Sequence, residues 1–110
     1  MIARTPAPPY WAVIFTNRRT PAEEGYAAMA DAMERLGSAQ PGFLGLESVR
    51  GEDGVGITIS YWSDLDAIAA WRANLAHAAA QSRGRALWYA AYTTRIARVD
   101  RDYSFARDED

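Results

Sequence analysis

Four stretches rich in aromatic and β-branched residues alternate with two stretches of helical periodicity, in the order β-α-β-β-α-β. That order is joined by a glycine- and aspartate-rich hairpin tip between the second and third strands, and by a length of 110 residues without repeat or linker. Together they predict one α+β domain of the ferredoxin-like kind, a four-stranded antiparallel sheet with both helices on one face.

Each element has a local reason. Residues 1–9 read as an extended arm, because Pro6, Pro8 and Pro9 fix φ and remove ladder donors. Tyr10 to Asn17 is aromatic and β-branched with no breaker, which predicts a strand. Thr20-Pro21-Ala22-Glu23 predicts a helix start, with Thr20 as cap, Pro21 in the first turn and Glu23 completing a capping box. Tyr26, Met29, Ala30, Met33 and Leu36 recur at helical spacing, and Gly37 with Gln40-Pro41-Gly42 closes the helix. Phe43 to Arg50 and Val55 to Trp62 read as strands joined through Gly51-Glu52-Asp53-Gly54. Ser63 or Asp64 can cap a second helix that carries Ile68, Trp71, Leu75 and Ala78 on one face. Ser82 to Arg85, containing Gly84, ends that helix, and Trp88 to Val99 is the fourth strand. The domain proper spans residues 10–105, and residues 106–110 are an acidic tail.

The strand faces carry a further expectation. In the first strand Trp11, Val13 and Phe15 alternate with Tyr10, Ala12 and Ile14, so both faces are apolar. The third strand places Val55, Ile57, Ile59 and Tyr61 on one face and the smaller Gly56, Thr58 and Ser60 on the other. Helices cover one sheet face only, so the uncovered apolar face predicts a homodimer packed sheet to sheet.

Composition removes many chemistries. There is no cysteine, hence no disulfide, thiolate zinc site, iron–sulfur cluster or cysteine nucleophile. All 12 cationic residues are arginine, which removes Schiff-base and P-loop lysines. A single histidine excludes a multi-histidine metal site within one chain and leaves no complete serine triad. The net charge of −2 offers no basic field for nucleic acid. No stretch is long and apolar enough to span a bilayer, and the proline-rich start lacks the apolar run of an export signal, so a cytoplasmic location is the default expectation.

Three segments together resemble the antibiotic biosynthesis monooxygenase family: Phe15-Thr16-Asn17-Arg18-Arg19-Thr20, Gln40-Pro41-Gly42-Phe43-Leu44-Gly45, and Ser60-Tyr61-Trp62-Ser63 followed by Trp71 and His77. The resemblance covers residues 10–99 and implies a ferredoxin-like protomer that pairs into a dimeric α/β barrel. It also implies a cofactor-independent monooxygenase acting on a planar aromatic or quinol-type molecule. Two alternatives stand beside this: a non-catalytic small-ligand-binding or dimerisation module of the same fold, and a haem-degrading monooxygenase. Cofactor-independent members of the family deprotonate an electron-rich phenolic substrate that then passes an electron to dioxygen. Such a site needs an apolar cavity and a donor to hold the anion, and no cofactor.

Candidate residues follow. Asn17 resembles the family asparagine near the oxygen site, and its amide can donate to an oxyanion or peroxide. It can equally bond its own backbone in the strand-to-helix loop. Trp71 lies nine residues beyond Trp62, a spacing shared with the haem-degrading branch, where the second tryptophan is catalytic. A core helix position is the plainer reading of Trp71. His77 titrates near neutrality and can serve as general base. The iron-ligating histidine of the haem-degrading relatives has Gln81 in its place here, which argues against haem. Phe15, Tyr61, Trp62 and Tyr92 can supply stacking walls for a planar substrate, although strand aromatics also serve as ordinary core.

Overall fold

The structure, a computed structural model, describes residues 2–82 and 85–108, with side chains throughout these except at 76–82 and 85–86. The elements are β1 (Tyr10–Arg19), α1 (Tyr26–Ser38), β2 (Phe43–Arg50), β3 (Val55–Trp62), α2 (Leu65–Ser82), α3 (Arg85–Trp88) and β4 (Tyr89–Val99). The strands pair antiparallel in the order β2-β3-β1-β4, which is the expected ferredoxin-like sheet.

Register decides what each face carries. Trp11, Val13, Phe15 and Asn17 of β1 stand opposite Trp62, Ser60, Thr58 and Gly56 of β3, and this set faces the helices. Val13 and Trp62 pack there with Ile68 and Trp71 of α2, supported by Met33 of α1 and by Phe43. Trp62 is fully buried and its indole N–H donates to Ser60 Oγ at 2.9 Å, so the one polar atom of the core indole is satisfied. On the other face lie Ile14, Val55, Ile57, Ile59 and Tyr61, and Val55 and Ile57 remain exposed there.

The β2–β3 hairpin follows its turn chemistry. Gly51 N–H donates to Val55 O, Gly54 N–H to Gly51 O, and Val55 N–H to Asp53 Oδ1, while Gly54 adopts φ 86. Of the two caps considered for α2, Asp64 serves: its Oδ1 accepts from Ala67 N–H at 2.7 Å.

Three boundaries differ from the expectation. α1 begins at Tyr26, not beside Pro21, with Gly25 in the left-handed region (φ 79) as its N-cap. The hydroxyl of Thr20 is drawn instead to Leu87 O, its N–H donates to Trp88 O, and the Arg19 guanidinium donates to Trp88 O and Ala22 O. A tertiary tie between the β1–α1 connection and α3 thus overrides the local capping signal. The same tie carries β1 on to Arg19. Trp88, expected in the fourth strand, closes the short helix α3, and its indole N–H donates to Glu24 O at 2.9 Å. A Cβ at Gly25 would lie 3.3 Å from the Trp88 ring, so that position needs glycine for space as well as for φ.

At the uncovered face, the N-terminal arm is tied down by Glu47. This carboxylate accepts from Tyr61 Oη at 2.6 Å and from Ala3 N–H at 2.9 Å. The Tyr61 bond, then the Ala3 N–H, hold the Glu47 carboxyl below its ordinary range. Tyr10 donates to Asp102 Oδ2 at 2.6 Å, which ties the chain beyond β4 to β1 and pushes the phenol up.

Two outcomes follow from these contacts. Gly25→Ala should destabilise the domain by about 1 kcal/mol or more in urea or thermal unfolding, because the new methyl meets both the φ penalty and Trp88. Glu47 is depressed on folding, so its contribution is whole above the ordinary glutamate value of about 4.3 and is lost as pH falls through the lower folded value. The Ala3 amide resonance should therefore shift with a midpoint below that ordinary value, and Glu47→Gln should abolish the transition.

Candidate active site

The small inward residues of β3 leave room beneath the helices. Thr58 and Ser60 lie next to Ser48 and Leu46 of β2 on one side and Phe15 and Val13 of β1 on the other. Over them α1 contributes Met29, Ala30 and Met33, and α2 contributes Trp71 and Leu75. Together they enclose a cavity of about 280 Å³ with a mainly apolar lining. Trp62 and Trp71 form one wall as a near-parallel stack, with centroids 6.1 Å apart and planes at 24°. α1 comes close to that wall through Gly37, where a Cβ would lie 3.3 Å from the Trp71 ring.

One end of the cavity is polar. Tyr26, at the start of α1, and Tyr89, at the start of β4, both line it, and the Tyr89 hydroxyl donates to Tyr26 Oη. Arg50 Nη2 donates to Tyr26 Oη at 3.2 Å and to Asn17 Oδ1 at 2.8 Å, while its Nη1 donates to Gly54 O at 2.7 Å. Arg19 lies flat on the Tyr26 ring, its Cζ 3.3 Å from the centroid. Among the described residues, neither guanidinium lies within ion-pairing distance of a carboxylate; the pair formed there is Arg98 with Asp100.

These contacts pull the two phenols apart. Burial, followed by donation to Tyr26, pushes Tyr89 up to about 12. Burial acts in the same direction on Tyr26, but the Tyr89 hydrogen bond, the charge and hydrogen bond of Arg50, and the charge of Arg19 outweigh it and bring Tyr26 below the ordinary tyrosine value.

The residues singled out in the sequence divide into three groups. Phe15, Trp62 and Trp71 stand in the cavity wall. Asn17 is buried one strand repeat beyond Phe15, with its amide oxygen held by Arg50, and Tyr92 is half exposed with its ring 5.4 Å from Phe15; neither stands in the cavity wall. Tyr61 lies elsewhere: parity places it on the opposite sheet face, bonded to Glu47 and edge-on to Tyr10 at 5.8 Å, so it cannot reach a ligand in this cavity. The His77 and Gln81 side chains lie outside the described residues.

Sequence reasoning missed Tyr26, Tyr89, Arg19 and Arg50 as a group. Tyr26 was legible only as a position of helical spacing, and Arg19 only within the segment that carries the family resemblance. A signal did exist in Gly56, which interrupts a β-branched strand. A Cβ at Gly56 would lie 2.7 Å from Arg50 Cζ, so the glycine opens the lane by which Arg50 crosses β3 to reach Asn17 and Tyr26.

The fold and cavity define an α+β domain with a mainly apolar cavity between sheet and helices. The chain belongs to the antibiotic biosynthesis monooxygenase family, which matches residues 12–83. The uncharacterised protein YqjZ of Bacillus subtilis strain 168 is 49% identical over 104 residues, covering 94% of this chain and 91% of its own. A Pseudomonas aeruginosa protein of solved structure superposes with a TM-score of 0.66 at 19% identity, over 88% of this chain and 98% of its own. SnoaB of Streptomyces nogalater, a cofactor-independent oxygenase, gives a TM-score of 0.64 at 15% identity, over 91% of this chain and all of its own. At such identities the structural likeness is one of fold.

Removing the stacked wall should show its structural share. Trp71→Ala should cost about 3–5 kcal/mol in urea unfolding, since a buried indole leaves a void that its neighbours fill only in part.

Proposed function

We propose that this protein is a cofactor-independent monooxygenase that oxidises a planar aromatic or quinol-type small molecule with dioxygen. The observation that carries the reading is the cavity itself: an apolar, tryptophan-walled space with a cationic, hydrogen-bonding end and a size suited to a small ring system. The family supports it, as does the likeness in fold to an oxygenase that needs no cofactor.

In this reading Trp62, Trp71 and Phe15 hold the ring plane, with Tyr92 packed against Phe15. Loss of a proton makes the ligand electron-rich enough to give an electron to dioxygen. Recombination at a ring carbon forms a hydroperoxide, and loss of water leaves a carbonyl, so the substrate supplies every electron the reaction needs. Asn17 is suited to an oxyanion or peroxide because Arg50 fixes its amide oxygen and so sets the direction of its N–H donors. The reaction also needs a proton acceptor, for which the sequence offers His77 and the described walls offer Tyr26. The exposed apolar residues Val55 and Ile57 on the outer sheet face support a working homodimer packed through that face. No helix among the described residues is long and apolar enough to cross a membrane.

Oxygen uptake by purified, metal- and haem-free protein with anthrones, naphthols and quinols tests the proposal. Saturable uptake is expected, falling by about 10²–10³-fold in Asn17→Ala as for removal of an oxyanion donor. No uptake above the buffer rate with any of these compounds would overturn the reading in favour of a ligand-binding module.

A further inference from the structure

The environment of Tyr26 is built around its oxygen. Two groups donate to that atom, Arg50 Nη2 and the Tyr89 hydroxyl, while the ring face is covered by the Arg19 guanidinium. The rings of Trp88 and Tyr89 close in edge-on, with centroids 6.1 and 6.2 Å away. Both arginines are held in place by neutral acceptors: Gly54 O and Asn17 Oδ1 for Arg50, Trp88 O and Ala22 O for Arg19. Their charges are therefore spent on no carboxylate among the described residues and act on the phenol they surround. An oxygen that receives donors from a cation and a second phenol, beside a further cation, is arranged to carry negative charge. It also lines the cavity.

We propose that Tyr26 is the proton acceptor of this cavity, and that its phenolic oxygen takes the hydroxyl proton of a phenolic ligand bound against the Trp62–Trp71 wall. The ligand O–H bond breaks, an O–H bond forms at Tyr26 Oη, and the electron pair stays on the ligand oxygen. The negative charge thus moves from one oxygen to the next without leaving the field of Arg50 and Arg19, which keeps the transfer nearly balanced. Gly56 acts as a positioning residue, since it admits the Arg50 side chain across β3. The ligand class this selects is a phenol or enol with an acidity near that of Tyr26. The inference rests on the oxygenase reading for its phenolic ligand and deepens it by naming the base.

The groups facing Tyr26 are Arg19 from β1, Arg50 from β2 and Tyr89 from β4, with Glu34 further along α1 as the carboxylate that also lines the cavity. The direction of the pH effect follows from them. The acceptor form is the ionised phenol, so activity and proton transfer should rise as pH climbs through a Tyr26 value lying below the ordinary tyrosine value of about 10.

Three measurements on the full chain test this. Spectrophotometric titration of tyrosinate should show a tyrosine ionising below that ordinary value, absent in Tyr26→Phe and moved upward in Arg50→Gln and in Gly56→Ala. Absorbance titration with 2-naphthol, at a pH between the Tyr26 midpoint and the ordinary tyrosine value, should show naphtholate gained as tyrosinate is lost, with no net release of protons, in the wild type and in His77→Ala, whereas Tyr26→Phe should bind the neutral naphthol. In oxygen uptake, Tyr26→Phe should lose the rising pH limb and about 10²–10⁴-fold of kcat/KM, the usual share of a general base. Titration curves of wild type and Tyr26→Phe that differ only at or above the ordinary value would overturn the proposal, as would equal naphtholate formation by the two. Absence of uptake by every form would count against the oxygenase reading, while naphtholate formation lost in Tyr26→Phe would still support the acceptor.

Discussion

The alternation of side chains along β3 is the constraint on which the rest of the molecule depends. With Gly56, Thr58 and Ser60 turned toward the helices, the middle of the sheet cannot fill the space beneath α1 and α2. The helices are held off by the large residues at one end, Trp62 against Trp71, with Met33 and Phe43 packed around them. Elsewhere the space stays open. The same alternation drives Val55, Ile57 and Ile59 outward, so cavity and apolar outer sheet face are two results of one pattern. Sliding β3 by one residue would fill the cavity with isoleucine and expose glycine, threonine and serine on the outer face.

Electrostatics then distinguishes the two ends of the cavity. At the tryptophan end the polar atoms are few and internally satisfied, as with the Trp62 indole on Ser60. At the other end, two guanidiniums are kept from carboxylates and anchored to backbone carbonyls and an amide. A guanidinium held by neutral acceptors keeps its charge available, whereas one locked in an ion pair does not. That arrangement lets a half-buried phenol ionise below the ordinary tyrosine value while the phenol bonded to it ionises above it.

Much of the fold was legible because its signals are local. Strands with unbroken β-branched and aromatic runs, the hairpin tip at Gly51–Gly54 and the Asp64 cap all act within a few residues of themselves. The start of α1 was not legible, because Thr20 gives its hydroxyl to Leu87, 67 residues away in sequence, and no local rule can see that competitor. The site split along the same line. Phe15, Trp62 and Trp71 follow from strand and helix periodicity, and all three reach the cavity wall. Tyr61 shares a strand with Trp62, and reading both as walls overlooked the strict opposition of neighbours on a strand. The Tyr26 cluster draws Arg19 and Tyr26 from the β1–α1 junction and Arg50 and Tyr89 from two remote segments. Sequence spacing holds no record of that convergence, apart from the hint of a glycine inside β3.

The positions of the polar groups along their elements have a further consequence. Arg19 closes β1, Tyr26 opens α1, Arg50 closes β2 and Tyr89 opens β4, whereas Val13, Ser60 and Trp71 sit in or near element interiors. The polar groups and most of the apolar support are thereby placed on separable parts of the chain, Trp62 at the end of β3 and Phe43 at the start of β2 excepted. Residues at element ends can be exchanged with small effect on the packed layers, while interior exchanges disturb every neighbour. A scaffold divided in this way can acquire a different reactive group at the cavity's polar end, or lose one, and keep the same shell around its ligand. Descent within such a lineage would then preserve the shape of the pocket far longer than the reaction carried out inside it.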